Sequence, residues 1–488
     1  MNFRKTFRTV LCAAITAMAS AESEVPTAMK SEPTPESMLS KGISPITGTF
    51  IQEWLFERFT DERWDQELKH WKELGIEYVI VGDGAMIDLN DKFRIDTSYP
   101  SKIPGAKVGK DVLGKLFEKC AEHRIKVFIG MGNTYGLWPF LDFRKPGNAE
   151  IFQQVCTRFA DIAEDLHGVY GERYKDVFAG FYYVPELHNH VAFDDPESRA
   201  GYVAGVAGGF DIIFERLNRI APELPFIMSP YVNLFGGDWV SKDIGNIGRF
   251  WSELFKSARF REGDIFMPQD SVGAGGMDLE HLDAMTKAYA DAVKSSGKGI
   301  RFWANCENFI QPPAGYLSRK DSDDFWSPCT TDRMVRQFQI VSKYSERLFT
   351  FAHPHYLSPF NTVPGFCESY RHYLRTGKLD ATPPKAPDTL RTSLTGPDKR
   401  HLRIDFSGAE DNFGISRVNL YKNGELLTFR VTSRSDGLLH RARQPDHIVD
   451  ESHDPAAGGP VSYELEVIDC AGNTSGKVPV VCAQEVLK

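Results

Sequence analysis

Eight short apolar runs recur between residues 43 and 375, and amphipathic stretches lie between them. The runs are Ile46–Gln52, Tyr78–Val81, Ile125–Gly130, Val177–Val184, Pro225–Ser229, Asp264–Gln269, Ile300–Asn305 and Leu348–His353. Buried strands alternating with helices point to a parallel α/β fold. The helix signals are local. Thr60 is placed to cap a helix with Asp61 and Glu62 in its first turn, and Gly75 to end it. Trp64, Leu68 and Trp71 fall on one face of that helix. Val112, Leu116 and Cys120 form a similar stripe, as do Met334, Phe338 and Val341. Eight such units predict a (β/α)8 TIM barrel over residues 43–375. A doubly wound sheet is the alternative, but no Gly-rich nucleotide turn follows the first run.

The pattern changes beyond the barrel. Thr-Pro-Pro-Lys-Ala-Pro lies in a predicted stiff linker over 376–390. After it come short alternating strands, including Leu402–Phe406, Ile415–Tyr421 and Tyr463–Asp469, with a hairpin turn at Asn423-Gly424. Residues 391–488 therefore read as a small all-β sandwich of immunoglobulin or fibronectin type. At the other end, Arg4, Lys5 and Arg8 precede a short apolar run and Ala19-Ser20-Ala21. This predicts a secretory signal over 1–21, followed by a mobile leader over 22–42. The expected product is secreted or periplasmic, with no membrane insertion after signal cleavage. Seven cysteines remain in it, without metal-ligand spacing, and Cys470–Cys482 is a candidate disulfide. A net charge of −9 without a basic stripe argues against a nucleic-acid partner. No cofactor and no metal site is expected.

A barrel of this kind builds its active site from the C-terminal ends of its strands. Two glutamates stand there among aromatics: Glu186 after the fourth run and Glu307 after the seventh. Paired carboxyls are the equipment of glycoside hydrolysis. The remaining strand ends supply Gln52, Trp54, Asn133, Tyr135, Tyr183, His188, Tyr231, Asn233, Gln269, Asp270, Trp303, Asn305, His355 and Tyr356 as candidate substrate contacts. Neutral donors and acceptors suit sugar hydroxyls, and aromatic rings suit sugar C–H faces. Gly273-Ala-Gly-Gly276 lacks nucleotide-loop spacing and reads as a tight turn.

The segments Tyr183-Val-Pro-Glu186, Ser229-Pro-Tyr231, Pro268-Gln-Asp-Ser-Val-Gly273 and Trp303-Ala-Asn-Cys-Glu307 resemble the barrel family catalogued as domain of unknown function 4434. That family is regarded as a glycoside hydrolase group similar to the retaining clan-A barrels. The resemblance implies that Glu186 is the acid/base and Glu307 the nucleophile of an enzyme acting on a carbohydrate. Clan-A barrels carry Asn before the strand-four Glu, whereas this chain has Pro185. The sugar 2-hydroxyl contact then falls to Asn305 or Asn233. Two other readings stay open: a glycan-binding barrel without catalysis, and a lyase or metal-dependent hydrolase acting on acidic polysaccharide.

Overall fold

Each of the eight runs contains a strand, and all the pairings among them are parallel. The computed structural model describes residues 45–82, 84–134, 136–311, 327–396, 399–432, 443–454 and 461–482. The expected signal and leader lie outside these residues. The strands are β1 (Gly48–Ile51), β2 (Tyr78–Val81), β3 (Lys126–Gly130), β4 (Phe178–Tyr183), β5 (Phe226–Met228) and β6 (Ile265–Phe266). β7 runs in two segments, Arg301–Phe302 and Ala304–Glu307, and β8 is Leu348–Phe351. A helix follows each strand: α1 (Asp61–Glu73), α2 (Leu113–His123), α3 (Asn148–Leu166), α4 (Pro196–Ile220), α5 (Ile244–Ser257), α6 (Leu279–Ser296), α7 (Thr331–Val341) and α8 (Gly365–Thr376).

The sheet closes at β7. Its first segment pairs with β6 in the register Ile265↔Arg301, and its second with β8 in the register Ala304↔Leu348. Between them, Trp303 N donates to Phe266 O at 3.0 Å and Ala304 N to Arg347 O at 3.0 Å. β8 then pairs with β1 through Gly48↔Phe349, completing a barrel. Side chains alternate along each strand. Phe50, Ile80, Phe128, Tyr182, Ile227, Met267, Trp303 and Phe349 fill the interior. Phe181, Tyr183, Phe226, Phe266 and Phe302 turn outward into the helix layer.

The helix signals behave as their chemistry requires. Thr60 Oγ1 accepts from Arg63 N at 3.2 Å, and Trp64, Leu68 and Trp71 are buried. The loops after β2 and β3 form a four-stranded sheet of Ala85–Asp88, Arg94–Thr97, Lys107–Val108 and Asn133–Thr134. No strand pattern in the sequence marks it.

Among the described residues, seven strands come after α8, the first beginning two residues inside the expected linker: β9 (Thr389–Thr395), β10 (His401–Ser407), β11 (Ile415–Lys422), β12 (Glu425–Val431), β13 (His447–Asp450), β14 (Tyr463–Asp469) and β15 (Thr474–Val480). They form antiparallel sheets ordered β9-β10-β13 and β12-β11-β14-β15. Leu402, Ile404 and Ile448 from one sheet meet Val418, Leu420, Leu465 and Val467 from the other in a common core. Asn423 (φ 54°) and Gly424 (φ 86°) make the β11–β12 turn in the doubly positive conformation that this dipeptide favours.

Barrel and sandwich share a seam at the start of α7. The first amides of a helix have no partner within it, and Thr330 supplies no side-chain cap. Thr331 N donates instead to Cys470 O and Asp332 N to Ala471 O, both at 3.0 Å. Cys470 is fully buried there, against the barrel core. Cys482 packs on the sandwich core, so the two cysteines are in different places and both are free. The expected disulfide is absent because of that separation. Gly365, which opens α8, faces the backbone oxygen of Phe413 so closely that a methyl group has no room. Gly365→Ala is therefore expected to destabilise the chain by about 1–3 kcal/mol. Gly201→Ala, on an open face of α4, is expected to stabilise it by about 0.5–1 kcal/mol through helix propensity. Thermal unfolding of both variants checks the pair.

Candidate active site

Strand alternation brings the two glutamates to one place. Tyr182 and Val184 point into the barrel, so Glu186 stands over the interior just beyond them. On β7, Trp303, Asn305 and Glu307 share the inward face, with Ala304 and Cys306 turned to the helices. Glu307 is 3% exposed. Its Oε2 accepts from Ala274 N at 2.6 Å. That amide arrives on a tight turn after β6, in agreement with the glycine spacing. Ser271 (φ 53°) accepts backbone bonds from Gly276 and Met277. Gly273 passes so near Glu307 that a Cβ would lie 2.8 Å from the glutamate's own Cβ.

Asp270 braces Glu307 from behind. Its Oδ1 accepts from Glu307 N at 3.1 Å and Val272 N at 3.2 Å. Gln337 Nε2, from α7, donates to Asp270 Oδ2 and to Glu307 O. Arg333 Nη2, one turn earlier, donates to Glu307 O and Phe309 O. Glu186 is held from the other side: its Oε1 accepts from Gln269 Nε2 at 2.8 Å, which also reaches Ser229 O at 3.1 Å. Asn305 Nδ2 donates to Ser229 Oγ at 3.1 Å. Its Oδ1 is buried and has no hydrogen-bond partner among the described residues.

Burial raises the Glu186 carboxyl above its ordinary value, against the Gln269 hydrogen bond. Glu307 is pushed up to about 8 by burial and by Asp270, with Glu186 adding to the shift. The Ala274 amide and the Arg333 guanidinium pull the other way. Asp270 is raised by burial, against the donors that surround it. Tyr231 is pushed up to about 12 by burial and then by Glu307 and Glu186, so its phenol senses both carboxyls and keeps its proton. Like charges in a dry site cannot all ionise together, so the cluster retains a proton near neutral pH.

Gln52 and Trp54 lie on the turn after β1. Trp54 Nε1 donates to Gln52 Oε1 at 2.9 Å, and its ring packs on His355 with centroids 5.2 Å apart. Gln52 N meets His355 Nε2 at 3.4 Å, and Tyr356 packs on Phe309 beyond Glu307. His188 is buried against His190 and Trp239, and burial lowers it to about 3. Asn189 ties this loop to the next through Asn233 O and Ser241 O. Asn233 Oδ1 accepts from Phe235 N at 2.9 Å.

Several sequence expectations need correction. Tyr183 is 1% exposed and faces outward, packed edge-on against Phe159 and Phe210, because it has the opposite alternation to Glu186. Trp303 is also 1% exposed. It has the right alternation but lies four residues below Glu307, stacked on Phe349 and closed off by Arg301 and Arg347. Neither ring is available to substrate. Asp270 is 5% exposed and has its oxygens engaged by the Glu307 amide and Gln337, so it lies behind Glu307 rather than on the surface of the cleft. Asn133 is not contradicted: it is half-buried in the small sheet after β2 and β3, where its Oδ1 accepts from Thr134 N. Tyr135 lies outside the described residues. Sequence reasoning missed Arg333, Gln337 and Ala274. The first two carry a legible signal: polar residues four apart, running beside the Met334–Phe338–Val341 stripe. Asp65, Glu122 and His123 form the one metal-like cluster among the described residues, on the helices α1 and α2 and away from the strand ends. Lys119 Nζ occupies it, 2.9 Å from Asp65 and 2.8 Å from Glu122.

Among solved structures, the chain is similar to a β-galactosidase from Marinomonas ef1 (13% identity, TM-score 0.37, covering 62% of this chain and 53% of that one). It thus spans about half the length of that protein. It is also similar to the xylanase TsXylA from Thermoanaerobacterium saccharolyticum (11%, TM-score 0.38, covering 66% and 89%). A third is the chitinase ChiA74 from Bacillus thuringiensis (10%, TM-score 0.36, covering 90% and 85%). No curated protein matches the sequence. Residues 46–363, most of the chain and the whole of the site described above, match the domain of unknown function DUF4434, and the chain belongs to that family.

Proposed function

We propose that this protein is an exported glycoside hydrolase that works with retention of configuration. Glu186 serves as acid/base and Glu307 as nucleophile. The observation that carries the proposal is the convergence of two strand-end carboxyls: Glu186, half-buried beyond β4 and bonded to Gln269, and Glu307, buried on β7 and bonded to the Ala274 amide, near enough that Glu186 raises Glu307 and both raise Tyr231. Strongly perturbed carboxyls at barrel strand ends are the mark of a catalytic site. The signal expected over 1–21 supports export.

The pair does its work in the state that holds one proton. The productive arrangement has that proton on Glu186 and the negative charge on Glu307. Ala274 N–H and Arg333 favour charge on Glu307. Gln269 occupies Oε1 of Glu186 and leaves Oε2 to deliver the proton to the glycosidic oxygen. Glu307 attacks the anomeric carbon as the leaving group departs. Glu186 then takes a proton from the water that releases the sugar. Pro185 supplies no side-chain donor beside Glu186, and Asn305 is only 2% exposed, so the sugar 2-hydroxyl falls to half-buried Asn233.

Screening aryl glycosides and polysaccharides for released sugar tests the activity. Glu186→Ala and Glu307→Ala should each lower kcat by roughly 10²–10⁴. On an aryl glycoside with a good leaving group, azide should rescue Glu186→Ala and yield a glycosyl azide of retained configuration. It should not rescue Glu307→Ala by that route, because no glycosyl-enzyme forms. An inverted first product in proton NMR refutes retention, and full activity in both variants refutes the pair.

The alkaline limb of kcat/KM reports loss of the shared proton and belongs to the pair rather than to either residue. Its expected position is near the value of about 8 at Glu307. Asp270 raises that value by like charge, so Asp270→Asn should move the limb to lower pH. A limb that stays in place or moves to higher pH contradicts the assignment.

A further inference from the structure

Among the described residues, two tryptophans outside the carboxyl cluster stand exposed at the barrel mouth. Trp54, after β1, is 44% exposed, and Trp239, on the loop after β5, is 45% exposed. By contrast, Trp64, Trp71, Trp251 and Trp303 serve the barrel core, all at most 2% exposed. Each of the two exposed rings also has a partner on one side. Trp54 is pinned by Gln52 and backed by His355. Trp239 is backed by buried His188, centroids 5.4 Å apart, while its carbonyl accepts from Val191 N at 3.0 Å. Phe235, on the same loop as Trp239, is exposed as well.

The topology gives these rings a direction. β1 and β5 lie opposite each other in an eight-stranded barrel. The line joining them leaves β4, with Glu186, on one side and β7, with Glu307, on the other. A chain laid from Trp54 to Trp239 therefore crosses the mouth between the two carboxyls. Gln52, Tyr231 and Asn233, which flank that line, are uncharged near neutral pH.

We propose that Trp54 and Trp239 are stacking platforms on opposite sides of the scissile bond, and that the substrate is a linear, uncharged oligosaccharide occupying both. This rests on the hydrolase reading above. Aromatic faces set at both ends of a polar cleft suit the C–H faces of successive sugars, while the neutral groups between them meet hydroxyls. A substrate of one or two sugars reaches only one platform.

The test is calorimetric titration of the full chain carrying Glu186→Gln, which slows turnover. The probes are disaccharides and hexaoses of β-1,4-linked glucose, xylose, mannose and N-acetylglucosamine, with hexagalacturonate as a charged comparator. One neutral hexaose should bind more tightly than its disaccharide. Adding Trp54→Ala or Trp239→Ala should each weaken the hexaose about tenfold, equivalent to about 1.4 kcal/mol, and Trp239→Phe should recover most of the loss. Circular dichroism should be unchanged in every variant. Preference for hexagalacturonate, no binding by any neutral hexaose, or hexaose affinity indifferent to both substitutions overturns the proposal. The two readings fail separately. Binding lost in the Trp variants with no hydrolysis by the wild type keeps the platforms and removes the hydrolase. Hydrolysis of an aryl glycoside with hexaose affinity untouched does the reverse.

Discussion

β7 changes partners in mid-strand, and the site depends on that change. Before Trp303 it pairs with β6; after Trp303 it pairs with β8. The switch closes the sheet and carries the strand on to Glu307. Trp303 fills the interior at the point of exchange, stacked on Phe349 across the barrel seam. A barrel interior is a packed core rather than a pore. The ring that secures closure is therefore the floor on which the carboxyls above are built.

Above that floor, order passes through hydrogen bonds. Asp270 holds the Glu307 amide, and Gln337 holds both Asp270 and the Glu307 carbonyl. Arg333 adds a cation beside them. A buried carboxylate without such support is costly. Here the support falls mainly on the backbone and on Asp270, and the Glu307 side chain receives the Ala274 amide. The resulting environment raises both glutamates without neutralising either by a direct ion pair among the described residues.

The barrel is legible in the sequence because its strands and helices announce themselves locally. The apolar runs have strand length, and Trp64, Leu68 and Trp71 have helical spacing. Glu186 and Glu307 are legible because a barrel puts its chemistry at strand ends. Position at a strand end is not enough by itself, as Tyr183 shows. It stands an odd number of residues from Glu186, and alternation alone turns it to the opposite face. Depth is harder to read. Trp303 and Glu307 share a face, and only their separation along β7 tells core from mouth. Arg333, Gln337 and Trp239 come from helix and loop, and their approach to the site depends on packing between elements distant in sequence. The small sheet in the loops after β2 and β3 escapes detection for a different reason: two of its strands have only two residues, too few to show a period.

The seam between the two folds has a mechanical consequence. A module hung on a slack linker samples many orientations. This sandwich instead lends two carbonyls to the start of α7, the helix that presents Arg333 and Gln337 to the carboxyl cluster. Its bearing relative to the cleft is thereby set. Exchange of the sandwich for an unrelated appendage would strip the helix of those acceptors and leave the first amides of α7 without partners.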